Sequence, residues 1–240
     1  MPTKIKWATE TLNLVVGCTK VSPGCRGCYA EALTLRWKSK FPEGFGNVTL
    51  KPERLAVPYH WRKPRRVFVN SMSDTFHDDV PTEYLVQMWS MFADTQRHTY
   101  MILTKRPERM RDLMVNETLP YLPNVWLGVS AERQKEWDER VPLLGEVMAA
   151  EKFVSCEPLL GAINIWPFDR LVSWIIVGGE SGPKRRAMDL EWPRAIRDQC
   201  MASGIPLFYK QGNALHAGHD DLLDGDEHKQ IPGAIHAETI

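Results

Sequence analysis

Three of the five cysteines, Cys18, Cys25 and Cys28, fall in one short stretch, GCTKVSPGCRGCYA, residues 17–30. Thiolates are soft ligands, and a C-x6-C-x2-C run in a turn-rich loop reads as a metal or cluster motif. Structural zinc asks for four protein ligands, and the chain has no second C-x2-C pair, so His77 or His60 would have to supply the fourth. A [4Fe-4S] cluster, normally held by cysteine thiolates, suits three thiolates and one iron left open to a small molecule. Gly17, Gly24 and Gly27 let the backbone fold closely around such a group, and Pro23 stiffens the loop. Three unliganded thiols are the plain alternative, and their exposure to oxidation counts against it.

Polar residues recur wherever an apolar run ends: SDTFH after 67–72, KRPERM after 100–104, SAE after 125–129, EPLLG after 153–156, GGESG after 174–177 and KQGN after 206–209. If the runs are parallel strands, these ends share one rim and line one pocket beside the cysteines, with Asn70, Asp74, Lys105, Glu157, Glu180 and Lys210 among the lining residues. Asp74 and His77, three apart, form an acid–base pair or substrate clamp, or Asp74 only caps a turn. Lys105, Arg106, Arg109 and Arg111, and again Lys184, Arg185 and Arg186, are local basic groups that could neutralise phosphates or simply be solvated.

The elements that must position these residues alternate in a βαβα rhythm. The pattern predicts strands at Leu12–Gly17, Val48–Leu50, Val67–Met72, Tyr100–Thr104, Val125–Val129, Phe153–Cys156, Trp174–Val177 and Pro206–Tyr209. Most are near-continuous in apolar character, as strands covered on both faces should be. Helices are expected over Tyr29–Lys40, Ala56–Trp61, Thr82–Gln96, Glu108–Asn116, Glu132–Met148 and Glu191–Ser203. About eight strands with helical crossovers point to an α/β fold, a (β/α) TIM-type barrel, complete or partly open, with a doubly wound sheet as the alternative. One domain is expected over residues 1–212, followed by a polar C-terminal extension over 213–240.

Composition sets bounds. Hydrophobic residues make up 43% and charged residues 25%, ordinary for a globular protein with a sizeable core. Lys+Arg and Asp+Glu number 30 each, so any polyanion site must be local. No run reaches the ~18 apolar residues of a membrane span, and the N-terminus lacks the pattern of a signal peptide. An odd cysteine count with three clustered is a poor disulfide framework, and a cytoplasmic location is expected.

GCTKVSPGCRGCYAE, followed in order by VNSMSDTFH, ILTKRPERM, WLGVSAE, SCEPLLG, IIVGGESG and YKQGN with LDGDEHKQIP, resembles the phage-associated three-cysteine-motif proteins of unknown function. That family is similar to radical S-adenosylmethionine enzymes, most nearly the spore photoproduct lyase branch. Those enzymes usually space their cysteines C-x3-C-x2-C with an aromatic before the last. Here six residues fill the first gap, Tyr29 follows Cys28, and Gly178-Gly179-Glu180 comes after the seventh expected strand instead of the second. The resemblance implies a [4Fe-4S] cluster on Cys18, Cys25 and Cys28, with S-adenosylmethionine on the open iron. It also implies an electron donor protein and a nucleotide, nucleic acid or related phosphorylated substrate. Gly178, Gly179, Glu180 and Ser181 would then hold the cofactor, Glu180 taking its ammonium or ribose hydroxyls, with Ser130, Asn70 and Ser71 on other polar edges. A solvated loop glutamate is the alternative for Glu180. Asp74, His77, Lys105, Glu157 and Lys210 would serve catalysis. Cys156 would give a hydrogen atom to a substrate radical, or else be a buried thiol acting as a small hydrophobe. From another class, a zinc-binding, non-catalytic nucleic-acid-binding or accessory phage protein fits the same motif.

Overall fold

Apolar runs flanked by amphipathic stretches become strands covered by crossover helices, because a parallel pair needs a long connection that returns to the same edge. The computed structural model describes residues 3, 5–37, 39, 41–216 and 219–233. In chain order the strands are β1 (Glu10–Leu12), β2 (Val15–Val16), β3 (Thr49–Leu50), β4 (Arg66–Val69), β5 (Thr99–Thr104), β6 (Val125–Ser130), β7 (Glu151–Cys156), β8 (Trp174–Gly178) and β9 (Leu207–Gln211). The helices are α1 (Tyr29–Arg36), α2 (Thr82–Asp94), α3 (Pro107–Val115), α4 (Gln134–Glu146) and α5 (Glu191–Ser203). Seven strands form one parallel sheet in the order β1-β4-β5-β6-β7-β8-β9, and β2 and β3 pair as a separate antiparallel ribbon.

The expected eight parallel strands are therefore seven. The run Leu12–Gly17 divides because Asn70, at φ 59°, turns the chain after β4 and its Oδ1 accepts the N–H groups of Leu14 (2.8 Å) and Val15 (2.9 Å). Those donors are thereby lost to the ladder, and Thr49–Leu50 of the run expected at Val48–Leu50 pairs with the detached β2. The helix expected at Ala56–Trp61 is a 3-10 turn, Val57–His60. Of the helix expected to end at Lys40, Tyr29–Arg36 is helical, and Lys38 and Lys40 lie outside the described residues.

One aromatic ring shows that the sheet is curled. The Trp7 ring lies 4.7 Å from that of Phe68 on β4 and 6.1 Å from that of Trp174 on β8. In a flat sheet those strands would stand ~19 Å apart, four spacings of ~4.8 Å. Phe68, Met101, Trp126, Phe153, Trp174 and Phe208, one from each strand from β4 to β9, close around Trp7 as an aromatic floor on the concave face. Gly128 on β6 leaves room for the Phe153 ring, which a Cβ would meet at 2.6 Å. The convex face packs Leu85, Met88 and Phe92 of α2, Trp137 and Leu144 of α4 and Ile196 of α5 into the larger core.

The sheet stays open between β9 and β1. Past β9 the chain returns along that free edge, with Tyr209 N–H donating to His228 O (2.7 Å), Gln230 N–H to Leu207 O (3.1 Å) and Trp174 Nε1–H to Gln230 O (2.9 Å). Asp221 pairs with Lys6, ahead of β1, at 2.5 Å and with Lys229 at 3.3 Å, so the returning segment spans the gap that an eighth strand would close. Residues 217–218 and 234–240 of the expected extension lie outside the described residues. The architecture is an α/β half-barrel, in keeping with a partly open (β/α)-barrel. Among the described residues no helix is long and apolar enough to cross a membrane.

Candidate functional site

The cysteine loop leaves β2 through Gly17, whose φ of 100° and contacts with the Phe45 and Asn47 carbonyls admit no side chain. Pro23 opens a 3-10 turn, Pro23–Gly27, and Cys28 leads straight into α1. The loop has almost no apolar anchor and lies across the ends of the parallel strands. At the end of β5, the Arg106 guanidinium donates to Thr19 Oγ1 (2.9 Å), Thr19 O (3.3 Å) and Cys18 Sγ (3.7 Å). Past β6, Glu132 Oε1 accepts the Ser22 hydroxyl at 2.5 Å, and Gly24 sits so close that a Cβ there would overlap the carboxylate. Past β8, Glu180 lies under Gly27, its Oε1 2.9 Å from where a Cβ would be. Past β4, Ser71 O accepts the Tyr29 hydroxyl at 2.6 Å.

All three thiols are free and partly exposed. Burial and the nearby Asp74 carboxylate push the Cys18 thiol up, partly offset by Arg106. Cys18 and Cys25 are close enough to interact electrostatically, and the Lys20 ammonium, 2.9 Å from Glu31, lies within electrostatic reach of both Cys25 and Cys28. Among the described residues no three His, Cys, Asp or Glu side chains converge as a single metal ion would require. His77 has little to offer such an ion: Nδ1 accepts the Asp79 N–H at 3.1 Å, which leaves Nε2–H to donate to Thr19 Oγ1 at 2.8 Å. His60 lies in the Val57–His60 turn. Three free thiols on one loop, each beside a different anchor, suit a cluster that offers one iron per thiolate.

Inside the half-barrel, strand alternation selects what faces the cup above the aromatic floor. Ser130 pairs in register with Ser155, and Ser155 with the inward Ile176, so both serines face inward. Two residues on, Glu157 accepts the Ser155 hydroxyl (3.0 Å) and pairs with Lys210 at 2.7 Å. Gly178 leaves space for this carboxylate, which a Cβ would meet at 2.8 Å. Lys105 Nζ stands 3.6 Å from Glu132 Oε1. Cys loop, Lys105, Glu157, Glu180 and Lys210 are thus gathered on one rim.

Other residues expected at the site lie elsewhere or are engaged. Cys156, one residue out of phase with Ser155, faces the helix-side core with Cys200, fully buried, and burial pushes its thiol well up. Asn70 spends its Oδ1 on two backbone N–H groups and its Nδ2 on Thr75, and the Ser71 hydroxyl donates to Asn13. Asp74 caps its turn at Phe76 N (3.0 Å), accepts Thr104 Oγ1 (2.7 Å) and Lys105 N (2.9 Å), and pairs with Arg106 at 3.3 Å. Burial and Arg106 both lower the basicity of His77. Glu180 accepts the backbone N–H of Arg186 at 2.7 Å and is gripped by its guanidinium. Burial pushes the Glu180 carboxyl up, but these bonds outweigh it and hold it below the usual range. Ser181 is exposed beside it. Sequence reasoning missed Glu132, fully buried at a strand end, although its position in SAE after β6 was the available signal.

Residues 2–232 match the DUF5131 family of proteins of unknown function, and the chain belongs to that family. No curated protein matches it. Among solved structures it is similar to a point mutant of spore photoproduct lyase, with 12% identity, a TM-score of 0.53 and 83% of this chain covered. The chain spans 62% of that structure's length, and at this identity the likeness establishes a shared fold.

Asp74 joins the loop-bearing strand ends through four polar contacts, one of them to an almost fully buried Arg106. Asp74→Ala should lower unfolding stability by about 3–5 kcal/mol, because it leaves that guanidinium unpaired. Urea denaturation measures this, and a change under 1 kcal/mol would mean that Asp74 is not a structural anchor.

Proposed function

We propose that the protein is an iron–sulfur enzyme of the radical S-adenosylmethionine type, acting on a nucleotide, nucleic acid or related phosphorylated substrate and served by an electron donor protein. The observation that carries this reading is the seating of three free thiols on the same rim as the charged cup of an open parallel barrel. Cys18, Cys25 and Cys28 would hold a [4Fe-4S] cluster. When bound with S-adenosylmethionine on its thiolate-free iron, it supplies one electron for cleavage of the sulfonium.

The chain's own residues bind, orient and exclude water. Gly178 and Gly179, at the end of β8, make room for the Glu157 carboxylate and the Gly212 backbone, and Glu157 with Lys210 offers paired charges for a zwitterionic group. Ser130, on the inner face of β6, is 1% exposed, so it backs the site from beneath. For Glu180 to receive an ammonium, Arg186 must yield its place. The aromatic floor closes the cup from below and keeps water out. Arg26 is exposed beside Gly27, and Lys184 is exposed on the loop that Glu180 anchors, so both stand near the mouth as phosphate contacts.

Anaerobic reconstitution with iron and sulfide tests the reading. The wild-type protein should turn brown, absorb near roughly 400 nm and retain both elements, whereas Cys25→Ala should lose them and Cys200→Ala should not. Retention of zinc alone, or full iron in Cys25→Ala, would contradict it.

The substrate class is tested separately with a labelled single-stranded oligonucleotide. Binding should weaken with salt, and the double change Arg26→Ala with Lys184→Ala should lower the slope of log affinity against log salt by about 1.4, from ~0.7 per phosphate contact. A slope unchanged by the double substitution would remove these cations from the interface.

A further inference from the structure

Glu132 has no assigned role, yet its carboxylate stands between the cysteine loop and the cup. It is fully buried. Oε1 accepts the Ser22 hydroxyl at 2.5 Å and faces Lys105 Nζ at 3.6 Å, while Oε2 pairs with Arg140 at 3.2 Å. Its backbone is also fixed, because Glu132 O accepts the Leu160 N–H at 2.8 Å. On the loop side, Ser22 Oγ lies 3.8 Å from Cys25 Sγ, and buried Gly24 packs directly on the carboxylate. Gly24 has no left-handed backbone to explain its identity, so the close approach of Glu132 is what excludes a side chain there. The two residues that touch Glu132 thus lie three and one before Cys25.

We propose that Glu132 is a positioning residue that sets the place of Cys25 through Ser22 and Gly24 and ties the loop to the cup through Lys105. A buried carboxylate shared between two cations is stiff, since moving it would leave charges unpaired in a dry environment. Cys18 is held independently by Arg106, so loss of the Glu132 anchor should be felt at Cys25 and not at Cys18. The bearing of this on iron binding rests on the proposed cluster; the geometric claim does not.

The test is site-resolved alkylation of the metal-free protein with iodoacetamide, read by mass spectrometry, alongside thermal melting. Ser22→Ala and Gly24→Ala should each speed alkylation of Cys25 about tenfold, the scale of one lost hydrogen bond to a charged group. Cys18 and Cys200 should keep their rates. In a Glu132→Ala background, where the clash is gone, Gly24→Ala should add nothing further. If that background fails to fold, Ser22→Ala, which removes one hydroxyl, decides. Wild-type Cys25 rates in Ser22→Ala and Gly24→Ala, or equal acceleration of Cys18 and Cys25, would overturn the assignment. Anaerobic iron uptake by the same variants should fall while wild type loads fully. A wild-type protein that takes up no iron overturns the cluster reading and leaves the alkylation result to judge Glu132.

Discussion

Buried charge at the strand ends holds the cysteine loop in place. Arg106, Glu132 and Glu180 each present a charged group to the loop from a different strand end, and each is balanced by a partner of the barrel itself: Asp74, Arg140 with Lys105, and Arg186. Charges taken out of water are expensive unless their geometry and hydrogen bonds are satisfied, so such pairs tolerate few alternative arrangements. A loop with little apolar surface of its own gains a defined position from this rigidity. Glycine at 24 is the complementary requirement, since a Cβ there would overlap the side chain of the buried Glu132, whereas at 27 it would meet only the end of the Glu180 side chain.

The half-barrel separates its two tasks by height. Its lower concave face is packed with rings around Trp7, which bends the sheet and excludes water. Above that floor the inward positions change to Ser130, Ser155 and Lys210, with Glu157 just past the end of β7, all carried by strands whose lower residues are locked in the core. Polar groups supported this way lose little further entropy when they meet a ligand. The open seam between β9 and β1 is covered by the returning chain and fixed by the Lys6–Asp221 pair.

Much of the fold was legible because its signals are local. Continuous apolar runs marked β4 to β9, and the polar residues after them marked the rim. The curl of the sheet was not legible, since it shows in Trp7 reaching both Phe68 and Trp174; nor was the detachment of β2, which depends on Asn70 capturing the N–H groups of Leu14 and Val15, 56 and 55 residues away. The cysteine motif stood out for the same local reason, whereas its anchors did not, since Ser22 and Glu132 are 110 residues apart and Arg106 and Thr19 are 87 apart. Lys184, Arg185 and Arg186 read as one basic run, yet Arg186 alone turns inward to Glu180. Strand parity could have placed Cys156: counting from inward Phe153, it falls on the helix side.

The central claim is that the loop presents a cluster with one iron open towards the cup. Electron paramagnetic resonance of the anaerobically reconstituted, reduced protein, with and without S-adenosylmethionine, addresses it most directly. The account predicts the signal of one reduced cluster whose g values move when S-adenosylmethionine is added, because the ligand reaches the iron that lacks a thiolate. A cluster signal that S-adenosylmethionine leaves unchanged, or a protein with no such signal, would contradict it.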